Sequence, residues 1–464
     1  MANVRIKDLP AFSGTLPTSA VFALETNQST QKIDFATLKA AIGGGGESIV
    51  NENDVNFYDY EGTLVYSYSA AEFADLSEMP ANPDHTSDGL TAQGWNWTLA
   101  DAKSYVASYG MLNIGQIYIT TDGKTHIYIH LEQGRTSPIL GVCPNGTVDV
   151  DWGDNTTHNT LTGTSTSTVQ WTPTHNYAAP GDYVIKLTVT GSMGFYGEEE
   201  DNLGLLGYTT SDDDRNSIYK NAILKIYSGS NITNFGSGAF DSCNNLTSIT
   251  ITNGITFIRD YAFASCCNLK SVTIPNGVTA IGSYAFAMCY NLKSVTIPNS
   301  ITTYGFNNGL FYFCYTLKSI TIPNGVKHIY QSTFYYCANL KNITIPNGVI
   351  ELGDGLFEYC FSLRTVTIPN GVSAFTSDML RSCLSMTSIT IPSSVTSIES
   401  DAFSGCYGLA ELHFQPTMPP TFTYDSQYNS IPSDCVIYVP AGSLSAYTSA
   451  SGYPSSSTYT YIEE

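Results

Sequence analysis

The segment LKSVTIPNGVTAIGSYAFAMCYN, residues 269–291, decides the fold, because variants of it recur along the second half of the chain. Eight cysteines mark the recurrence, spaced 23, 23, 25, 23, 23, 23 and 23 residues apart. They are Cys243, Cys266, Cys289, Cys314, Cys337, Cys360, Cys383 and Cys406. A fixed period of this length predicts a solenoid in which each copy forms one coil.

Apolar residues hold fixed positions around each cysteine. The third residue before it is phenylalanine in every coil except at Leu380, and the third after it is leucine except at Met386. Two more apolar columns lie six and eight residues after the cysteine, as in Val272 and Ile274, and predict a short strand. Proline ends this strand in most coils because it lacks an N–H, and Asn-Gly often turns the chain next.

One such coil cannot bury its apolar side alone, so the coils must stack into a parallel sheet with a continuous core. A degenerate first coil fits the register through Ile223, Ile226, Ile232 and Phe235. Counting it, we predict nine strands and a sheet roughly 40 Å long, at about 4.8 Å per strand. Two extra residues near 307–308 cause the single 25-residue spacing, and we expect them to bulge without breaking the sheet.

Over residues 220–415 the repeats resemble the BspA-like leucine-rich repeats of bacterial surface proteins. The resemblance implies a carboxyl-terminal leucine-rich-repeat solenoid within a mainly β, multidomain chain. Residues 416–464 would cap it, since CVIYVPAGSLSAYTSA at 435–450 is similar to the usual end of such arrays. That similarity implies a last strand, Val436 to Val439, covering the open edge of the sheet.

Residues 138–191 predict a small β-sandwich from short alternating strands. The run Asp151-Trp152-Gly153-Asp154, followed by HNY from 175 and GDY from 181, resembles the PKD-type immunoglobulin-like domain. Asn155 stands where that family commonly has glycine. In such folds the tryptophan and tyrosine belong to the core and the aspartates fix turns, so we expect no chemistry here.

Residues 50–137 predict an α+β spacer module. It contains a helix over Leu99–Tyr109 and two strands around Asp122-Gly123, a dipeptide typical of the type I′ turn of a hairpin. A Gly-rich linker at 43–49 precedes the module, and residues 192–219 predict an acidic linker and amino-terminal cap of the repeats.

Residues 1–42 are similar to a short amino-terminal module of tail- and head-fibre proteins of tailed phages. The residues that carry the resemblance are Ile6, Leu9, Pro10, Thr26, Lys32, Ile33, Phe35 and Leu38. It implies a virion-anchoring module that binds other virion proteins. Charged residues at 5–8 interrupt any apolar run, so we expect no signal peptide and a product made in the host cytoplasm for the virion surface. The bacterial cell surface is the alternative location.

The formal net charge of −21 argues against nucleic acid as a partner, because phosphate binding needs a cationic surface. The acidity is uneven: residues 1–219 carry −18, residues 220–414 carry +1 and the tail from 415 carries −4. No apolar run approaches the roughly 18 residues that a membrane span needs, so we expect no membrane insertion. The nearly neutral repeats leave the charge of their ligand open.

The sequence contains none of the common catalytic or metal-binding motifs. We expect the cysteine column to be a ladder of buried thiols, ahead of disulfides or zinc. The acidic runs Glu198–Asp201 and Asp212–Asp214 favour a solvated loop over a calcium site. We therefore expect no enzyme, no catalytic residue, no cofactor and no metal, although paired carboxylates of a glycan-degrading enzyme cannot be located by sequence.

Two sets of side chains are candidate ligand contacts. A basic column directly follows the leucine column, beside outward Ser/Thr columns, and consists of Lys270, Lys293, Lys318, Lys341 and Arg364. It serves either solubility or an anion-binding groove. Tyrosines accumulate at non-core positions of the middle coils, as contacts for sugars or protein or as packing of the convex loops. They are Tyr290, Tyr312, Tyr315, Tyr335, Tyr336 and Tyr359.

The leading hypothesis is a non-enzymatic adhesion protein of a tailed phage, either a fibre or a decoration protein. Its repeats would bind a glycan or protein of the bacterial envelope, and the sequence leaves open whether it is a homo-oligomer. The alternative is a BspA-like bacterial cell-surface adhesin, and a glycan-degrading enzyme ranks third.

Overall fold

The computed structural model describes residues 54–196, 205–207, 219–302, 305–422 and 431–464, together with a strand pair, β1 (Val21–Thr26) and β2 (Ser29–Asp34). The rest of the predicted virion-anchoring module, the Gly-rich linker and both acidic runs lie outside the described residues. The described part is mainly β, with a parallel-sheet solenoid as predicted. It falls into two compact units. We call Asn53–Phe311 with Ile320–Val326 the amino-terminal unit, and Tyr312–Ser319 with Lys327–Glu464 the carboxyl-terminal unit.

The amino-terminal unit begins with a four-stranded sheet of order β4-β3-β6-β5 and two helices, which we call the docked module (residues 54–120). Its elements are β3 (Val55–Tyr58), β4 (Leu64–Tyr68), α1 (Ala70–Asp75), β5 (Leu90–Trp95), α2 (Leu99–Tyr109) and β6 (Leu112–Thr120). Helix α2 has the predicted bounds, and the Thr98 hydroxyl caps it by accepting a hydrogen bond from the N–H of Asp101 at 3.1 Å. Phe57, Phe73 and Trp95 pack in the core of the docked module.

The predicted hairpin is wrong, although both of its strands exist. β6 pairs with β3 and β5, whereas β7 (Thr125–Leu131) pairs in a different sheet with β11 and β13. A type I′ turn needs positive φ at both central residues. Gly123 has a φ of 70°, but Asp122 is not among the residues with positive φ. The turn therefore carries the chain from one sheet to another.

The strands predicted to form a sandwich belong to the same sheet as the first strand of the repeats. They are β8 (Ile139–Asp151), β9 (Asn159–Thr164), β10 (Gln170–Trp171), β11 (Gly181–Phe195) and β12 (Leu206–Gly207). β8 and β11 pair antiparallel, β11 also pairs with β7, and β7 pairs with the first repeat strand, β13 (Ile223–Tyr227). A separate PKD-like sandwich stays a prediction, because these ladders join its strands to the solenoid.

The local roles proposed for this segment are confirmed. The hydroxyl of Tyr177 donates to the carbonyl oxygen of Trp152 at 2.9 Å, and both side chains are buried. Asp151 accepts a hydrogen bond from the N–H of Gly153 at 2.9 Å, which fixes the turn. The ring of His175 stacks on Trp152 with centroids 4.5 Å apart.

Two parallel ladders with a 23-residue register follow in the amino-terminal unit. The remaining strands are β14 (Ile232–Phe235), β15 (Ser248–Thr250), β16 (Phe257–Ile258), β17 (Ser271–Thr273), β18 (Ala280–Ile281) and β19 (Ser294–Thr296). The degenerate first coil is confirmed by β13 and β14. Residues 319–322, in the coil after the one with the two extra residues, form no regular strand, so the expected strand is absent there.

The carboxyl-terminal unit continues the repeats and closes them. Its elements are β20 (His328–Ile329), β21 (Asn342–Thr344), β22 (Glu351–Leu352), β23 (Thr365–Thr367), β24 (Ala374–Phe375), β25 (Ser388–Ile391), β26 (Ser397–Ile398), β27 (Glu411–Phe414), β28 (Thr421–Phe422), β29 (Val436–Val439), α3 (Leu444–Ser449) and β30 (Thr460–Glu463). β29 has the predicted bounds and pairs parallel with β27, but β30 then adds a further strand.

The core consists of stacked identical side chains. The rings of Phe263 and Phe286 stack 5.2 Å apart, and those of Phe334 and Phe357 stack 5.5 Å apart. The eight column cysteines are buried thiols that form no disulfide, and burial raises the pKa of the Cys243 thiol to about 12. This confirms the predicted ladder of buried thiols.

The residue before each of these eight cysteines has a φ between 57° and 74°. Aromatic residues rarely adopt this left-handed conformation, yet it occurs at Tyr336 and Tyr359. The coil geometry imposes it, because the N–H of Tyr336 thereby reaches the carbonyl oxygen of Glu358 in the next coil at 2.8 Å.

Candidate functional site

The docked module covers the strand face of the repeats in the amino-terminal unit. Ser271, Thr296 and Thr321 belong to the outward Ser/Thr columns, yet they are only 5%, 2% and 4% exposed. The hydroxyl of Ser271 donates to the carbonyl oxygen of Tyr60 at 3.3 Å, and that of Thr321 accepts from the N–H of Asn113 at 3.0 Å. These columns therefore face their own chain and are closed to a ligand.

Three donors of the module reach carbonyl oxygens at equivalent positions of successive coils. The pairs are Asn96 Nδ2 to Ile274 at 3.1 Å, Trp97 Nε1 to Ile297 at 3.0 Å, and the Tyr105 hydroxyl to Ile322 at 3.0 Å. Each acceptor residue precedes a proline. In the parallel ladder, the donor to such a carbonyl would be the N–H one position past the equivalent residue of the next coil, and proline stands there without an N–H. The proline column thus leaves a column of acceptors that the module fills.

Close approach of the two surfaces depends on glycine. A Cβ on Gly115 would stand 2.1 Å from Oγ1 of Thr296 and 2.4 Å from Oγ1 of Thr273. The N–H of Gly115 donates to Oδ1 of Asn96 at 2.8 Å, which holds the Asn96 amide in line with its repeat acceptors.

The same strand positions are open to solvent in the carboxyl-terminal unit. Asn342, Thr365, Thr367 and Thr390 are exposed, and a shallow groove of about 380 Å³ runs along this surface. We call this surface, strands β21, β23 and β25 with the residues that line the groove, the open face. Its polar lining residues are Asn347, Thr365, Thr367, Asn370, Ser388, Thr390 and Gln415, and none of the described residues that line it is charged.

The predicted basic column consists of side chains that differ in exposure. Lys270, Lys293, Lys318 and Arg364 are exposed and Lys341 is half-buried. The N–H of Arg364 donates to the carbonyl oxygen of Lys341 at 2.7 Å, so equivalent members follow each other coil by coil. Whether the column serves solubility or anion binding stays a prediction.

Five of the six candidate tyrosines lie in one aromatic cluster of the carboxyl-terminal unit. Tyr312 stacks on Tyr335 at 4.7 Å, Tyr336 lies 5.5 Å from Tyr315 and 5.1 Å from Tyr359, and Tyr315 is buried. Burial raises the pKa of Tyr336 to about 12. These rings pack against one another in the Phe-x-x-Cys turns, which supports the packing interpretation for much of their surface.

The sixth, Tyr290, lies in the amino-terminal unit and is half-buried; burial raises its pKa. Its role as a ligand contact stays a prediction.

An acidic group that was not predicted from the sequence lies beside this cluster. Burial and the nearby Asp378 carboxylate raise the pKa of Glu358 to about 7, opposed by Arg381, whose Nε lies 3.8 Å from Glu358 Oε1. The repeat period could have found this pair, because Glu358 and Arg381 occupy the same position in successive coils.

Residues 214–308 and 305–429 match the family model for the BspA type leucine rich repeat region, in six copies. No curated protein matches the chain. Among solved structures, the chain is similar to the leucine rich repeat protein of T. pallidum (27% identity, 33% of this chain and 72% of that one, TM-score 0.30). It is also similar to a leucine rich cell surface protein of Faecalibacterium prausnitzii (25% identity, 51% and 71%, TM-score 0.26) and to a leucine-rich repeat protein of Bacteroides ovatus (24%, 53% and 84%, 0.24).

The described helices include none long and apolar enough to cross a membrane. In the same part of the chain, no group of three His, Cys, Asp or Glu residues is placed to hold a metal ion.

Proposed function

We propose that this protein is a non-enzymatic adhesion protein that binds the bacterial envelope through its leucine-rich repeats. One observation carries the proposal: the strand face is filled by the docked module in the amino-terminal unit but carries exposed hydroxyl and amide side chains in the carboxyl-terminal unit. A polar surface on a rigid parallel sheet is suited to recognition. The match to BspA-type repeats supports the same function.

The experiment that tests adhesion measures binding of the fluorescently labelled full chain to a panel of intact bacteria by flow cytometry. We expect saturable binding to some strains that excess unlabelled protein displaces. Absence of displaceable binding across the panel would remove the proposal. Incubation with purified envelope polysaccharide, followed by an assay for new reducing ends, separates adhesion from glycan cleavage.

We propose that the protein is a component of a tailed phage, either a fibre or a decoration protein. The support is the amino-terminal sequence pattern, which resembles that of phage fibre proteins. Mass spectrometry of purified virions is expected to find the chain. Its detection on bacterial surfaces and not in virions would favour the alternative, a bacterial adhesin. The match to BspA-type repeats supports this alternative.

A further inference from the structure

We propose that the open face binds an uncharged, hydroxyl-rich polysaccharide that donates a hydrogen bond to the Ile368 carbonyl oxygen, which the proline column leaves without a donor. This inference rests on the proposed adhesion function and names the ligand class and the site.

The docked module shows what the strand face requires. Its Asn96, Trp97 and Tyr105 supply N–H and O–H donors to the carbonyls that precede prolines. In the carboxyl-terminal unit the equivalent carbonyls belong to Ile345 and Ile368, and Pro369 and Pro392 stand where the ladder donors would be. Among residues 327–422, all of which the structure describes, no donor reaches either oxygen.

An exception one coil later supports this explanation. The carbonyl oxygen of Ile391 accepts a hydrogen bond from the N–H of Gln415 at 3.0 Å. Gln415 occupies the ladder position held by Pro369 and Pro392 in the two preceding coils. Where the proline is replaced, the sheet satisfies its own acceptor, so the unmet acceptors at Ile345 and Ile368 follow directly from the prolines.

The chemistry of the groove favours a polysaccharide over a protein. Ile368 lines it together with the hydroxyls of Thr365, Thr367 and Thr390 and the amides of Asn370 and Gln415. Protein partners bind mainly through aromatic or arginine anchors in apolar pockets, and the polar lining offers no such pocket. Ile345 is 1% exposed and does not line the groove, so Ile368 provides the accessible carbonyl. A sugar chain supplies a hydroxyl donor for this carbonyl and an acceptor for each threonine hydroxyl. The hydroxyls of Thr367 and Thr390 lie at equivalent positions of neighbouring strands, which are about 4.8 Å apart, and this spacing suits a chain that crosses the coils.

Because none of the described lining residues is charged, we expect a neutral ligand. Lys341 and Arg364 precede strands β21 and β23 and are not part of the groove lining. Binding is therefore expected to be insensitive to salt, unlike binding through the basic column.

The test uses the full chain and an array of deproteinised bacterial surface polysaccharides, both neutral and anionic. The double variant Pro369→Gln, Pro392→Gln gives the sheet its own donors, as Gln415 does, and should weaken binding about tenfold while the protein stays folded. Ser373→Gln, at an exposed position outside the groove, is the matched control and should bind like the parent. Thr367→Trp fills the groove with a bulky side chain and leaves the prolines unchanged. It therefore tests the same site even if the proline variant does not fold.

Binding to neutral polysaccharides that persists in 0.5 M salt and weakens in both groove variants supports the inference. Binding that salt abolishes, that is restricted to anionic chains, or that is equal in all variants overturns it. If intact bacteria are bound but protease treatment of the cells removes binding, or if no polysaccharide is bound, the inference fails while adhesion stands. If neither cells nor polysaccharides are bound, both fail.

Discussion

The indole N–H of Trp97 donates a hydrogen bond to the carbonyl oxygen of Ile297, 3.0 Å away and 200 residues later in the chain. Trp97 is 3% exposed, so water does not compete for this acceptor. The bond joins the docked module to a repeat whose own sheet has no donor to offer at Pro323. It therefore contributes directly to the stability of the amino-terminal unit.

Trp97→Phe and Tyr105→Phe each remove the donor and keep the ring, which leaves a buried carbonyl unsatisfied. We expect each to lower the free energy of unfolding by about 1 to 3 kcal/mol, measured by urea titration followed by circular dichroism. Tyr183→Phe is the control, because it loses a solvent-exposed bond to Ala179. Equal losses in all three variants would contradict a special role for the repeat carbonyls.

Gly115→Ala should destabilise the protein by about 1 to 3 kcal/mol, because the added Cβ overlaps the Thr273 and Thr296 side chains. Combining it with Thr273→Ala and Thr296→Ala removes the overlapping atoms and should recover much of the loss. Thermal unfolding of the variants gives the coupling energy. Additive effects would mean that the module and the repeats are not in contact at this glycine.

The thiols of the cysteine ladder should not react with thiol reagents in the folded protein. The Cys289 thiol donates to the carbonyl oxygen of Phe263 at 3.2 Å, and burial raises the pKa of Cys266 well above its ordinary value. Of the eleven cysteines, only Cys267 is partly exposed. We expect a thiol reagent such as Ellman's to label at most this residue before denaturation and all eleven afterwards. Labelling of several thiols in the native state would contradict a buried ladder.

Stability should fall as the pH rises through 7 because of Glu358. Burial first, and then the Asp378 carboxylate, raise its pKa from 4.5 to about 7, with Asp401 acting in the same direction and Arg381 opposing. The folded protein thus holds this proton more tightly than the unfolded chain, so the stabilisation is complete below about pH 4.5 and is lost as the pH passes 7.

Glu358→Gln should flatten this dependence and make the variant more stable than the parent at pH 8. Melting temperatures between pH 5 and 8 provide the measurement, with the exposed Glu351→Gln as control. If the melting temperatures of the parent and of Glu351→Gln are both constant between pH 5 and 8, the raised pKa of Glu358 is disproved.

Features repeated at short range were predictable from sequence, and features that depend on distant partners were not. Helix α2 was predicted with correct bounds, and the resemblance to the usual end of such repeat arrays implied the correct bounds of strand β29. The cysteine and phenylalanine columns followed from the 23-residue period. The Asp122-Gly123 turn misled because a dipeptide says nothing about which sheet each strand joins.

The candidate site shows the same division. The outward Ser/Thr columns were predicted, but Thr296 is buried by Asn96, 200 residues earlier, and Ser271 is buried by Tyr60, 211 residues earlier. No local pattern marks Asn96 as a donor to a repeat. By contrast, the proline column and its exception at Gln415 are visible in the sequence and could have indicated the unmet acceptors.

The three hydrogen bonds from Asn96, Trp97 and Tyr105 also constrain where the number of repeats can change during evolution. They require three coils in fixed succession, so a gain or loss of one 23-residue unit between Ile274 and Ile322 would put at least one donor out of register. No such constraint comes from the docked module in the coils after residue 327. Change in repeat number between related proteins should therefore be concentrated there, where it would lengthen or shorten the open face without disturbing the rest of the molecule.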